Sequence, residues 1–258
     1  MHLVLVAAFL CISTAYVLRP VYLGHGSIVV SGFNGISVVV GFVLFIAVAA
    51  LIGPEFGLPV IASILIHEMG SVLAYRMLGH EDARFRLVPI FNKTPTSDTL
   101  LTKDGDVFFV SIMGSAFCLG PIALAATIAV TLNPTIPAVA QSFWLFAITC
   151  GALNFVLLMP FSSLPGGRCT STAVVNFWPT LAPAMTAFMA AAMFTASLRT
   201  SSVALMVMAG VGAHSFWRRS PSGRRAMSPD AGLIALAAYA FTIAAHFSIG
   251  RHLFEAYF

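Results

Sequence analysis

Apolar runs long enough to cross a bilayer occupy most of this 258-residue chain, and they leave few folds open to it. A spanning α-helix needs about 20 consecutive apolar residues to cover a hydrocarbon core about 30 Å thick. Such runs lie at 3–18, 28–53, 57–79, 107–132, 138–160, 171–197, 200–217 and 230–250. They predict an all-α polytopic membrane protein of about eight transmembrane helices. Only 9% of the residues are charged, against roughly 25% in a soluble domain. A soluble enzyme is therefore excluded. The first run lacks a basic segment before it, and its small-x-small step, Ser13-Thr-Ala15, lies inside the apolar stretch, so it reads as a retained helix rather than a signal peptide.

Cytoplasmic loops carry the excess of Lys and Arg, and the basic residues here are unevenly spread. Placing Arg218, Arg219, Arg224 and Arg225 inside and alternating across the runs also puts Arg19, Arg76, Arg84, Arg86, Lys93, Lys103 and Arg168 inside. Only Arg199 and Arg251 then fall outside, so the expected topology has loops 80–106, 161–170 and 218–229 in the cytoplasm and both termini outside. A formal net charge of +4 is accounted for by these membrane anchors, and no nucleic-acid partner is implied. Cys11, Cys118, Cys150 and Cys169 have no C-x-x-C spacing and read as small buried hydrophobes. Ser162 and Ser163 have no Gly-x-Ser-x-Gly context that would mark a nucleophile.

No internal repeat or linker divides the chain, which is expected to form a single membrane domain over 1–258. Two intervals interrupt the apolar pattern. Residues 84–92 alternate at Phe85 and Leu87 before Pro89, which predicts a short β-like edge segment at the interface. Met159-Pro-Phe-Ser-Ser-Leu-Pro-Gly-Gly-Arg-Cys169 holds two prolines and two glycines and breaks any continuous helix.

His67 and Glu68 stand together in the middle of the third run. An imidazole and a carboxylate at membrane depth are costly unless they pair, face water or hold a metal, so they are the leading functional candidates. They also begin the zinc signature His-Glu-x-x-His, in which two histidines on one helix face grip the ion and the glutamate polarises water. Ser71 occupies the second histidine's place, and a neutral hydroxyl is a poor zinc ligand. His80 lies about 140° from His67 around a helix and cannot replace it.

The helix His67-Glu-Met-Gly-Ser-Val-Leu-Ala-Tyr-Arg-Met-Leu-Gly79 resembles that of the site-2 protease family of intramembrane zinc metalloproteases, matching at His67, Glu68, Gly70, Ala74 and Gly79. Gly114-Ser115 is similar to the Gly-Pro step of the family's central helix, with Gly120-Pro121 as a rival alignment. Asn154, Pro160 and Leu164-Pro-Gly-Gly-Arg168 are similar to its Asn…Pro…Leu-Asp-Gly-Gly-Arg segment, with Pro165 where the family's aspartate ligand stands and Gly166 and Gly167 retained. The resemblance covers about residues 57 to 170. It implies a fold built to hold zinc on His67 with Glu68 as general base, and a chain that lacks the ligands at Ser71 and Pro165.

The lead expectation is a catalytically inactive homologue, without zinc, whose partners are the lipid bilayer and transmembrane segments of other proteins. The alternative is an active zinc metalloprotease that recruits His214 or His246 as replacement ligands. A third reading, from another class, makes the intramembrane His and Glu residues a proton or ion pathway or a haem site.

Overall fold

The computed structural model describes residues 2–19, 29–31, 35–51, 53–86, 96–217 and 223–257. In chain order the elements are α1 (His2–Val17), β1 (Val29–Ser31), α2 (Gly35–Leu51), a 3-10 turn at Pro54–Phe56 running into α3 (Gly57–Met77), and β2 (Arg84–Arg86). They continue with α4 (Asp104–Leu132), α5 (Pro137–Leu157), α6 (Pro165–Val174), α7 (Leu181–Thr200), α8 (Val203–Trp217) and α9 (Pro229–Tyr257).

Among the described residues, five helices are long and apolar enough to span a membrane, within Pro54–Met77, Asp104–Leu132, Pro137–Leu157, Leu181–Thr200 and Pro229–Glu255. That is fewer than the eight apolar runs predict. Helices α1 and α8 are apolar, and their described lengths of 16 and 15 residues correspond at 1.5 Å per residue to about 24 and 22 Å. The run at 28–53 yields a helix of 17 residues, Gly35–Leu51. The run at 171–197 becomes a long helix only from Leu181, because 165–174 forms its own short helix and the turn that follows leads into Pro179. A proline disfavours helical geometry in the residue before it, which separates the two helices. Large apolar side chains such as Phe9, Phe188, Ile234 and Phe241 are exposed, as lipid-facing positions must be in an apolar solvent.

The expected β-like segment is present as β2, paired in parallel with β1 in the register Val29↔Arg84, Val30↔Phe85 and Ser31↔Arg86. Residues 87–92 of that expectation lie outside the described residues.

Contacts divide the chain into two compact units, which interleave in sequence. The first comprises residues 1–100, 113–154 and 245–257. Here Cys118, Ile122, Ala125 and Ala126 of α4 pack on Ala147 and Cys150 of α5. Phe56 joins Ile148 and Ala152 of α5 and Leu253 of α9 in a second apolar cluster. Small residues bring α5 and α9 together: a Cβ on Gly250 would lie 2.5 Å from the Ala152 nitrogen and 2.7 Å from its Cα. The second unit comprises 101–112 and 155–244. Its core gathers Ile112, Leu158, Cys169 and Tyr239, while Phe161, Met159, Met193 and Ala209 form a second cluster. Tyr239 donates its hydroxyl to the Leu158 carbonyl at 2.5 Å, and Thr186 donates to that of Pro160 at 2.5 Å, so the broken segment after α5 has its carbonyls satisfied.

Gly250→Val is expected to destabilise the protein by about 1–3 kcal/mol through overpacking of backbone against backbone. Gly41→Ala, where a Cβ meets nothing within 4 Å, should leave stability unchanged or slightly raised. Thermal unfolding of the two variants in detergent, followed by circular dichroism, checks this contrast.

Candidate functional site

The site is assembled on α3, whose buried stripe includes Ser63, His67, Glu68, Gly70 and Ala74. The Asn154 amide on α5 has Nδ2 2.9 Å from the Cys150 carbonyl. A carbonyl can only accept, so the NH2 group faces it and Oδ1 faces His67, 2.8 Å from Nδ1. His67 therefore donates from Nδ1–H and keeps its lone pair on Nε2. The α4 backbone covers that nitrogen closely, since a Cβ on Gly114 would lie 2.7 Å from Nε2 and 2.8 Å from Ser71 Oγ. One turn on, a Cβ on Gly70 would meet Phe117 Cβ at 2.6 Å and the Met113 carbonyl at 2.8 Å. Gly70 thus lets the α3 backbone approach that of α4 at Met113, and Gly114 leaves room on α4 for the His67 and Ser71 side chains. Ser71 does not complete a ligand pair; its hydroxyl donates back to the His67 carbonyl at 3.3 Å.

Glu68 is only 2% exposed, and its carboxylate is held from both sides by Arg86 of β2, with Nε 2.6 Å from Oε1 and Nη2 3.1 Å from Oε2. This fork satisfies a buried charge with two charge-assisted hydrogen bonds. Arg86 reads from sequence as one membrane anchor among several, and its role as counter-ion was missed. A signal existed: a carboxylate inside a spanning run demands a cation, and Arg76, Arg84 and Arg86 are the nearest in sequence.

The chain between α3 and β2 is shaped to deliver that guanidinium. Helix α3 ends with Gly79 at φ +85, and His80 N–H donates to the Tyr75 carbonyl at 3.0 Å while Gly79 N–H donates to that of Arg76 at 3.0 Å. These two bonds form a Schellman cap, and the Tyr75 and His80 rings pack edge to face at 5.3 Å. Beyond the turn, Ser97 donates to Asp82 at 3.0 Å and so receives a hydrogen bond from His80 Nδ1–H at 2.9 Å. Arg84 pairs with Asp98. The Asp98 and Ser97 donors hold the Asp82 carboxyl below its ordinary value of 3.8, the backbone N–H of Asp98 contributing most.

No protein-family model matches this chain, and neither does any curated protein or solved structure. The site must be read from its own geometry.

His246 of α9 lies in the same unit as His67 and is fully buried. Its Nε2–H donates to the Ser115 carbonyl at 3.0 Å, one residue along α4 from the glycine that faces His67. Its Nδ1 has no partner among the described residues. His214 is exposed on α8 in the second unit, and Pro165 opens α6 there. Gly166 and Gly167 let α6 start against the backbone of Leu158 and Phe161, a packing role. Among the described residues, no three His, Cys, Asp or Glu side chains gather in a metal-holding group. A catalytic zinc needs three protein ligands. The donors at the family positions do not fit it: Ser71 is a neutral hydroxyl engaged with a carbonyl, Pro165 has no donor atom, and both oxygens of Glu68 are engaged by Arg86.

Arg86→Ala should cost about 3–5 kcal/mol, because it strands a buried carboxylate, whereas the double replacement Glu68→Leu with Arg86→Met should recover most of that loss. Chemical denaturation of the three proteins in one detergent measures the difference. Asp82, with its lowered pKa, contributes order that is present above its ordinary value of 3.8 and lost as pH falls through the lowered one. Hydrogen exchange at the Asp98 and Thr99 amides should therefore stay slow at neutral pH and rise only in acid below about pH 4, while Asp82→Asn should exchange fast throughout.

Proposed function

We propose that this chain is a multi-pass membrane protein with a site-2-protease-like core that does not hydrolyse peptides, and that it acts by binding transmembrane segments of other proteins. The observation that carries the inactive reading is the forked Glu68–Arg86 pair. A general base must present a free carboxylate oxygen to the water it activates, within about 3 Å. Glu68 offers both of its oxygens to a guanidinium instead, so the group that would polarise water serves as the anchor of the β2 segment. His67 is likewise engaged through Nδ1 by Asn154, and its remaining nitrogen faces the Gly114 backbone. On this reading the polar pair keeps α3, α4, α5 and β2 in register. The residue pattern of the family supports the kinship, and the replaced ligands at Ser71 and Pro165 support the loss of chemistry.

One observation favours a second reading, an altered metal site: His67 and His246 meet α4 at neighbouring residues, Gly114 and Ser115, and His246 Nδ1 is unpartnered. Two imidazoles still fall one short of a catalytic zinc set.

Elemental analysis of the purified protein separates the two. The inactive reading expects zinc far below one per chain and the same content in His67→Ala. About one zinc per chain, lost in both His67→Ala and His246→Ala, would replace it with the second reading.

A further inference from the structure

The second unit contains a cavity of about 360 Å³ beside α6 that the His67 site does not use. The chain leaves α5 at Leu157 and begins α7 at Leu181, and both helices are long and apolar enough to span a membrane, so residues 158–180 connect the ends of two candidate spans. Within that segment α6 buries Gly166, Cys169, Thr170 and Ala173. It turns Arg168 and Ser171, three residues apart on one helix face, to the cavity, and Val175, just past its end, continues that face. Pro179 and Pro183, beside the start of α7, form a stiff opposite wall.

The chemistry inside is one-sided. The Arg168 guanidinium is exposed and has no carboxylate partner among the described residues. Three of the hydroxyl groups around it donate to backbone carbonyls, Ser171 to Arg168 at 3.1 Å, Ser162 to Ser215 at 3.1 Å and Thr186 to Pro160 at 2.5 Å, while Ser215 Oγ is shared with Ser163 Oγ at 3.4 Å. Thr186 and Ser215 are themselves buried, 7% and 1% exposed, so the polar wall is part of the fold and not of a loose surface. What remains is one cation able to fork onto an anion, and the Ser162 and Ser171 oxygens, whose protons are engaged and whose lone pairs can accept. That set is matched by a phosphate ester whose neighbouring groups carry O–H donors.

We propose that this cavity binds a phosphate ester bearing a hydroxylated head, with Arg168 on the phosphate and the hydroxyl oxygens of Ser162 and Ser171 accepting from the head. At the end of membrane spans the nearest source is an anionic glycerophospholipid, since basic pockets between spans at the interface take anionic headgroups. The inference stands apart from the His67 site and holds whether or not that site is active.

The full chain is reconstituted in nanodiscs of equimolar phosphatidylglycerol and phosphatidylcholine, and the lipid retained after detergent extraction is measured by native mass spectrometry. Wild type should retain phosphatidylglycerol over phosphatidylcholine by roughly tenfold, the scale of one charge-assisted contact. Arg168→Ala should abolish the preference, Arg168→Lys should keep part of it, because a point charge lacks the planar fork, and Arg199→Ala, at the far end of α7, should not change it. Matching circular dichroism spectra establish that the variants are folded. Retention that withstands excess sn-glycerol 3-phosphate assigns the ligand to lipid. Binding of sn-glycerol 3-phosphate to lipid-free protein, lost in Arg168→Ala and without lipid preference, assigns it to a soluble phosphate ester. Equal retention of both lipids by wild type with no phosphate-ester binding, or a preference unchanged in Arg168→Ala, overturns the proposal.

Discussion

A carboxylate in the middle of a spanning helix must find a cation, and the geometry around Glu68 is organised by that requirement. Glu68 sits on the buried stripe of α3, and its partner Arg86 lies eighteen positions further along the chain, beyond the helix end. For the guanidinium to come back alongside α3, the chain has to reverse direction within a few residues. Gly79 permits the reversal by taking a positive φ that other residues resist, and the Schellman cap closes the helix around it. The Asp82, Ser97 and Asp98 contacts then hold the returning segment, and pairing with β1 fixes the register of β2. The ion pair thus goes together with the turn at 78–86 and the contacts made by residues 96–98.

Much of the membrane architecture was legible because hydropathy acts over whole helices. The apolar runs at 57–79, 107–132, 138–160 and 230–250 correspond to long apolar helices with ends shifted by a few residues. Failures occurred where local backbone rules compete with hydropathy. The run at 171–197 begins as a span only past Pro179, and the interval 161–170, expected as a loop, contains the start of α6.

The site was legible in part. His67, Gly114 and Asn154, separated widely in sequence, are in direct contact or closely apposed. Arg86 was not found, because opposite charges pair through space and nothing in a local pattern distinguishes it from Arg76 or Arg84. His246 and His214 looked equivalent as intramembrane imidazoles. The structure distinguishes them by burial and by unit, properties that depend on which helices pack together. The division into two units that interleave in sequence is equally invisible to a linear reading, since α4 and α9 each contribute residues to both.

The eighteen-residue separation of Glu68 and Arg86 also bears on how the protein is made. During synthesis α3 is complete before Arg86 has emerged, so the helix reaches the membrane with its carboxylate still lacking a counter-ion. An isolated acid at the centre of a helix costs about 2.5–3.5 kcal/mol to insert. The apolar stretches flanking Glu68 must carry that cost until the next stretch of chain appears. Lateral release of α3 into lipid is therefore most favourable after β2 has formed its contact, which couples the timing of insertion to a segment that never crosses the membrane.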